Sequence, residues 1–322
     1  MSEMSGSPPD TRSSPARGEM ALDPGPVVQR ARLTAELQRL RRDAGKTQDE
    51  VARALDWSAS KLIRIEGGNV RISTTDLHAL LRHYGVTDEE RIAELSKLAR
   101  GARERGWWTL YREHLDDAYS TYLGYELGAS FIRSFSPLLV PGLLQTEDYA
   151  RALTIEYKPQ PVAETVIEVR MQRQDKMFSR EDLPQQHYVL DEAVIRRRVG
   201  GQRDQGIMPR QLAHLLELAR RPDITIELIP FEKGAHFGMR GEFTVLGFEM
   251  GPPGVLYLEN TQRSVTVTDS EEVAEYLEAF DHLRQLALRE DETIEFIKAA
   301  AAQMKGDTAA EQMNDEDAAP VG

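Results

Sequence analysis

The chain contains no cysteine among its 322 residues. This absence excludes disulfides, thiolate metal sites and cysteine nucleophiles, and it fits a reducing compartment. No apolar run approaches the ~18 residues that a membrane helix needs. The first residues also lack the basic segment followed by an apolar one that marks a signal peptide. We therefore expect a cytoplasmic protein that does not bind a membrane.

Positive charge is also scarce, with 40 Lys and Arg against 53 Asp and Glu and a net charge of −13. The deficit is uneven. Between Val27 and Arg71 ten basic residues face six acidic ones, a surplus of four, which leaves the rest of the chain near −17. A nucleic acid responds to the local field, because the Debye length is only ~8 Å at physiological salt. DNA binding by this segment is therefore compatible with an acidic chain.

The length favours two domains over one. We predict an α+β protein overall, in which an all-α head of five helices precedes an α+β domain with a mostly antiparallel sheet. Segments rich in Ser, Pro and Gly or in Ala, Asp and Glu at the two ends predict disorder. The predicted divisions are a tail at 1–26, a helix-turn-helix head at 27–100, the α+β domain at 101–303 and a second tail at 304–322.

Two short capped helices identify the head. Thr47 and Glu50 have the spacing of a capping box, and Ser58 is placed to cap a second helix. In that helix we expect Leu62, Ile63 and Ile65 on the buried side, before Gly67-Gly68-Asn69 ends it. Two such helices about one turn apart are typical of a helix-turn-helix. A further capping box, Thr87-x-x-Glu90, predicts the start of the fifth helix.

The second domain begins near Trp107-Trp108, a pair that we expect to pack against the residues that follow. Six strands or β-rich runs, among them Ile224–Ile229 and Ser264–Val267, and six helices are predicted beyond it. The loop FEKGAHFGMRGEF carries His236 and Arg240, and a hairpin connection is its preferred interpretation. Asp191-Glu192 follows a strand and is explained by the start of a helix.

Both parts of the chain resemble known families. Thr47-Gln48, Trp57-Ser58, Ser60-Lys61 and the run from Ile63 to Gly68 resemble the Xre or Cro/C1-type helix-turn-helix family. The motifs LLVPGLLQTEDYARAL, VRMQRQ, VLDEAVIRRRVGG and GMRGEFTVLGF are similar to a domain of unknown function that follows such heads in actinobacterial regulators. The resemblance implies an antitoxin-like transcription regulator that binds double-stranded DNA and a small protein encoded nearby.

In this motif the second helix enters the major groove, and its first residues reach base edges. The predicted base contacts are therefore Ser58, Ser60, Lys61 and Arg64. The predicted phosphate contacts lie at the start of the preceding helix and just beyond the recognition helix; they are Lys46, Thr47, Gln48 and Arg71. Glu66 would repel DNA, so we expect it to bond within the head.

One head grips few phosphates, so we expect a homodimer on a two-fold site. The aromatic stretch Trp107–Tyr125 and the C-terminal helices are both candidate dimer surfaces.

An enzyme is not expected, and neither is a cofactor. His214 and Glu217 have metal-ligand spacing on one helix, but no second pair accompanies them. The alternative to a regulator that binds a partner protein or effector is a small-molecule sensor or enzyme domain carried on a DNA-binding head. A pocket around His236, Arg240 and Glu259 would favour this alternative.

Overall fold

The computed structural model describes residues 25–249, 252–259 and 264–317. Helices alone form the first part of the described chain: α1 (Gly25–Asp43), α2 (Gln48–Ala54), α3 (Ala59–Glu66), α4 (Thr74–His83) and α5 (Glu89–Gly101). The predicted N-terminal tail lies outside the described residues, apart from Gly25 and Pro26, which belong to α1.

The local signals for α2 and α3 are confirmed. The Thr47 hydroxyl accepts a hydrogen bond from the Glu50 backbone N–H, and the Glu50 carboxylate accepts one from the Thr47 backbone N–H. Ser58 caps α3 by accepting from the Lys61 backbone N–H. The start of α5 differs from the prediction, because Asp88 rather than Thr87 is its N-cap. An Asp carboxylate satisfies the same free backbone N–H groups.

One apolar cluster fills the centre of the head, and its largest members include Leu37, Leu62, Leu77, Leu80 and Leu95. The prediction that Ile63 is buried was wrong, since half of its surface is exposed. Leu62, Ile65 and Glu66 occupy the inward side of α3, and Ile63 lies outside that arc.

The second part of the chain continues from a 3-10 turn at Trp107–Tyr111. Its strands are β1 (Phe131–Ser136), β2 (Gln185–Asp191), β3 (Ile224–Ile229), β4 (Phe243–Gly247), β5 (Val255–Glu259) and β6 (Ser264–Val267). Its helices are α6 (Asp117–Glu126), α7 (Glu147–Tyr157), α8 (Val162–Phe178), α9 (Glu192–Arg196), α10 (Ile207–Leu218), α11 (Ser270–Leu286) and α12 (Glu290–Asp317). α12 thus extends beyond residue 303, where we predicted disorder; residues 318–322 lie outside the described residues.

The six strands form one sheet in the order β3-β2-β1-β4-β5-β6. The pairs β1–β2 and β2–β3 are parallel, and the other three pairs are antiparallel. The mixed α+β class and the mostly antiparallel sheet are therefore confirmed. The parallel pairs follow from the helical connections, because a parallel pair needs a long crossover. Here α7 and α8 join β1 to β2, and α9 and α10 join β2 to β3.

Helices cover both faces of the sheet. One face, which includes Ile132, Tyr188 and Leu246, packs against α6, α8, α10 and α12. The opposite face, which includes Phe135, Val189 and Val245, packs against α11 through Phe280 and Leu283. Successive side chains of a strand point to opposite faces of the sheet, and this alternation produces the two cores.

The hairpin interpretation of the loop that contains His236 and Arg240 was wrong. The loop joins β3 to β4, and these strands are separated in the sheet by β2 and β1. The segment therefore crosses the end of two strands. Gly238 makes this path possible, because a Cβ built there would lie 2.2 Å from the ring of Phe135.

The helix α1 contributes to two cores. Leu33 and Leu37 belong to the cluster of the head, whereas Val28 belongs to a cluster with Trp108 and Leu123. Trp108 is 5% exposed, so the expected packing of the tryptophan pair is confirmed. Contact between α1 and α6 is tight, since a Cβ built on Gly124 would lie 2.2 Å from Val27 Cγ2.

None of the helices in the described ranges is long and apolar enough to span a membrane.

Candidate functional site

The outer face of α3 carries three exposed side chains, Ser60, Ile63 and Arg64. The guanidinium of Arg64 is tethered lightly, with Nε donating to the Ser60 carbonyl at 3.3 Å. Because these residues stand at positions i, i+3 and i+4, they share one side of the helix. Ser58 is also exposed, but its hydroxyl is used as the cap of α3.

Lys61 has partners inside the head. Its ammonium donates to Asp76 Oδ1 at 2.8 Å and lies 3.8 Å from the centre of the Trp57 ring. A cation over an aromatic face and beside a carboxylate is held in place. Lys61 must release Asp76 before its ammonium reaches a base edge, so Arg64 is the more accessible of the two predicted cations.

Glu66 is the centre of a buried network at the end of α3. Its side chain is 1% exposed and accepts hydrogen bonds from Arg41 Nε at 2.8 Å and from Gln48 Nε2 at 2.8 Å. Tyr84 donates to the same carboxylate at 3.4 Å, and its pKa is raised by burial and by the charge of Glu66. The expectation that Glu66 bonds within the head is confirmed. The network fixes the first residue of α2 against the last residue of α3.

The predicted phosphate contacts lie at the two ends of this unit. Gln48 uses one of its two amide N–H groups on Glu66, and the Thr47 hydroxyl donates to Glu50 Oε2 at 2.9 Å. Lys46 is half-buried, with its carbonyl accepting from Arg41. Arg71 is exposed. Assignment of these residues to phosphates, and of the α3 residues to bases, stays a prediction.

Arg30 is a neighbour of Arg71 that the sequence did not single out. It is half-buried on α1, and its pKa is lowered by burial and by the positive charge of Arg71. Gly68, just after α3, packs against its aliphatic stem. The two guanidinium groups therefore add positive potential beside the end of α3. Because Arg30 and Arg71 are far apart in the sequence, the sequence alone did not indicate that they are neighbours.

The three residues named for the alternative function, His236, Arg240 and Glu259, do not line one pocket. His236 is buried, 3.4 Å from Asp191 Oδ2, and packs edge-on against Phe135. Arg240 is exposed over the Phe237 ring. Glu259 instead lines a cavity to which neither His236 nor Arg240 contributes. His214 lies 3.9 Å from Glu217, and no group of three potential metal ligands occurs within the described ranges.

The cavity that contains Glu259 has a volume of about 350 Å³. Its floor is the face of β1, β4 and β5, and its walls come from α6, α8 and the loop before α6. Polar residues line much of it, including Tyr119, Tyr122, Tyr257, Arg170, Arg173, Glu242 and Glu259.

A buried ion pair with Glu126 holds Arg173, which lines one wall of this cavity. Arg173 donates to both carboxylate oxygens of Glu126, at 2.6 and 2.7 Å, and to the hydroxyls of Tyr119 and Tyr122. Tyr122 in turn donates to Glu126 at 2.6 Å, and burial followed by the Glu126 charge raises its pKa. Arg170 and Arg173, the two arginines of VRMQRQ, stand three residues apart on α8. This spacing places both on one side of a helix, so the sequence carried a signal for a polar face of α8.

Glu242 is a partly buried acid of the cavity, whereas Glu259 is exposed. The Glu242 carboxylate accepts a hydrogen bond from the Ser136 hydroxyl at 3.1 Å. Burial raises the pKa of Glu242 from 4.5 to about 7, and the charge of Glu259 adds to the rise. The sequence carried a signal here, because Glu242 opens a β-rich run directly beside an otherwise apolar core.

Comparison with known families agrees with the two parts of the fold. Residues 32–95 match a helix-turn-helix domain, and residues 119–299 match a domain of unknown function (DUF5753). Curated proteins and solved structures yield no match. The second family model covers more than half of the chain. The protein therefore belongs to the DUF5753 family, and it carries a helix-turn-helix domain in front of the domain that defines this family.

Proposed function

We propose that this protein is a sequence-specific, DNA-binding transcription regulator of the Xre type, with α3 as its recognition helix. The observation that carries the proposal is the exposed outer face of α3, held at a fixed angle to α2 by the Glu66 network. A rigid helix pair with an exposed second helix is the geometry that enters a major groove.

The chemistry of the outer face fits base edges. Arg64 is suited to the O6 and N7 atoms of guanine, and Ser60 bonds to several bases. Ile63 adds an exposed apolar surface of the kind that contacts the methyl group of thymine. Thr47, Gln48 and Arg71 flank this face and supply phosphate contacts. Together they predict a reader that favours a G next to an A·T pair.

A homodimer is part of the proposal, because strong salt-dependent affinity rests on ~6–10 phosphate contacts. The aromatic stretch Trp107–Tyr125 is largely used inside one chain, since Trp108 and Tyr122 are buried. Leu110 is a large apolar residue of this stretch that is exposed, at 82%. Light scattering of the full chain, with and without Leu110→Ser, tests whether this segment forms the dimer.

The second domain provides the input to the regulator. The resemblance noted above favours a small protein encoded beside the gene, in an antitoxin-like pair. Co-expression of the two genes and purification through a tag on the neighbour tests this partner. A complex that survives gel filtration supports it, whereas separate elution of the two proteins contradicts it.

The DNA-binding proposal is tested by selecting duplexes from a random library with the full chain and then measuring affinity for the selected sequence. Arg64→Ala is expected to weaken binding by about 1–3 kcal/mol and to relax the preference at one base pair. Arg71→Ala is expected to weaken binding to all sequences alike and to reduce the salt slope by about 1.

Arg220→Ala, an exposed arginine of the second domain, is the matched control and should bind as the parent does. Failure of the parent to enrich any sequence contradicts the function. Enrichment that Arg64→Ala leaves unchanged contradicts the assignment of α3.

The cavity in the second domain favours a second candidate for the input, a small molecule instead of a protein. A sensor of this kind would keep the same DNA-binding output. We assign the domain no catalytic role.

A further inference from the structure

The cavity of the second domain is a built polar site with a definite charge pattern. Its volume of about 350 Å³ lies in the range of small-molecule sites. The strands of the sheet and the helices α6 and α8 line it together with the loops 114–116 and 139–141.

Both arginines of the cavity are held by other side chains, and its third cation, Lys158, is exposed. Arg173 is neutralised by the two-oxygen contact with Glu126, and both residues are buried, at 11% and 3% exposure of their side chains. Arg170 donates to the Gln145 side chain. An anion entering the cavity would therefore have to compete with Glu126 for Arg173.

The carboxylates of Glu242 and Glu259, in contrast, stand opposite each other on neighbouring strands. In the antiparallel pair β4–β5 Phe243 lies opposite Leu258, so the next residue on each strand places Glu242 opposite Glu259. Like charges directly opposite each other on neighbouring strands are unfavourable. Both residues line the cavity, and a cation between them would remove this repulsion.

Aromatic rings border the two carboxylates. Tyr122 stacks on Tyr257 with 4.3 Å between ring centres, and Tyr119 stacks on Tyr122 at 6.2 Å. The buried Tyr257 hydroxyl has no well-formed hydrogen bond within the described ranges. Burial raises the pKa of Tyr257, and the nearby Ser264 hydroxyl partly opposes this rise. Because Tyr257 and Arg173 cover the faces of Tyr122, the edges of the Tyr122 and Tyr257 rings supply the apolar contact area beside the carboxylates.

We propose that this cavity binds a small organic cation, a primary amine or a guanidine, with its charged group between Glu242 and Glu259 and its apolar body against Tyr122 and Tyr257. A bare metal ion fits less well, because two carboxylates and tyrosine rings do not form the ligand set that hard cations need. This site does not depend on DNA binding, and its test requires no DNA.

The test uses three aromatic probes of similar size and different charge: benzylamine, benzyl alcohol and benzoate. Isothermal titration of the full chain at neutral pH is expected to give one benzylamine site, with affinity at least about tenfold above that of either other probe. Preferential binding of benzoate overturns the proposal in favour of an arginine site. So does the absence of benzylamine binding up to about 10 mM.

Variants locate the site. Glu242→Gln and Glu259→Gln should each weaken benzylamine at least about tenfold, whereas Glu232→Gln, on an exposed loop outside the cavity, should leave it unchanged. Circular dichroism of each variant establishes that it is folded. Folded variants that bind benzylamine as the parent does overturn the assignment.

The pH dependence gives an independent readout. The groups that act on Glu242 are Ser136 from β1, Glu259 from β5 and the arginines 170 and 173 from α8. Because the pKa of Glu242 lies at about 7, benzylamine affinity should rise as the pH increases through this value, with release of a proton. In Glu242→Gln this rise should vanish. A parent affinity that falls with rising pH contradicts the role of Glu242.

Discussion

Replacing Glu66 by Gln tests the network that joins the two helices of the helix-turn-helix. The Glu66 carboxylate accepts hydrogen bonds from Arg41, Gln48 and Tyr84, and the Glu66 side chain is 1% exposed. An amide of the same size offers one acceptor oxygen and turns an N–H group towards these donors. Arg41 is then left without a countercharge while its side chain is only 15% exposed.

The expected magnitude follows from this burial. Removing one partner of a buried ion pair costs about 3–5 kcal/mol, and the partial access of water to Arg41 places the effect near the lower end, about 3 kcal/mol. Since a domain is stable by only about 5–15 kcal/mol, the loss is a large fraction of the free energy of unfolding. Urea denaturation followed by circular dichroism measures it as a lower midpoint.

Two further variants make this result interpretable. Glu89→Gln, an exposed acid in the first turn of α5, should change the free energy of unfolding by no more than about 0.5 kcal/mol. Combining Glu66→Gln with Arg41→Gln removes both charges and should recover part of the loss. A loss below about 1 kcal/mol for Glu66→Gln would refute the argument, as would a double variant that loses the sum of the two single effects.

Three other outcomes are expected. Gly124→Ala should lower the free energy of unfolding, because overpacking against Val27 costs about 1–3 kcal/mol and exceeds the helix-propensity gain of about 1 kcal/mol. Urea denaturation measures this loss, and the double variant Gly124→Ala with Val27→Ala should regain the stability. Glu126→Gln leaves Arg173 buried without its countercharge and should cost about 3–5 kcal/mol, measured in the same way, and a neutral result would show that water reaches the pair. Because Glu242 has a folded pKa raised from 4.5 to about 7, the folded state holds its proton over this interval, and the parent should lose stability relative to Glu242→Gln as the pH rises through it. Equal pH profiles of thermal unfolding would contradict this raised pKa.

Signals that act within a few residues predicted the structure well. The capping residues Thr47 and Ser58 define the starts of α2 and α3, because a cap needs only its own side chain and the next turn. The strands Ile224–Ile229 and Ser264–Val267 also have the predicted bounds. Both classes of feature depend on local hydrogen bonding and on the alternation of side chains.

Features that depend on distant contacts were not predictable in this way. The path of the loop from β3 to β4 is set by the strand order, which no short segment encodes. Ile63 lies outward because α3 has only two turns, in which three apolar positions cannot all lie on the narrow inward side. The cavity required Glu242 and Arg173 to come together from different elements, although each was visible as a polar residue beside an apolar pattern.

Because α1 packs into the core of the head and also into a core of the second domain, it affects which operator the proposed regulator can read. Val28 is fully buried among residues of the second domain, and burying such a side chain is worth about 1.5–3 kcal/mol. The head is therefore not suspended on a free linker, and its orientation follows that of the body behind it. In a dimer, the spacing and phase of the two DNA half-sites would then be determined by the DUF5753 domains.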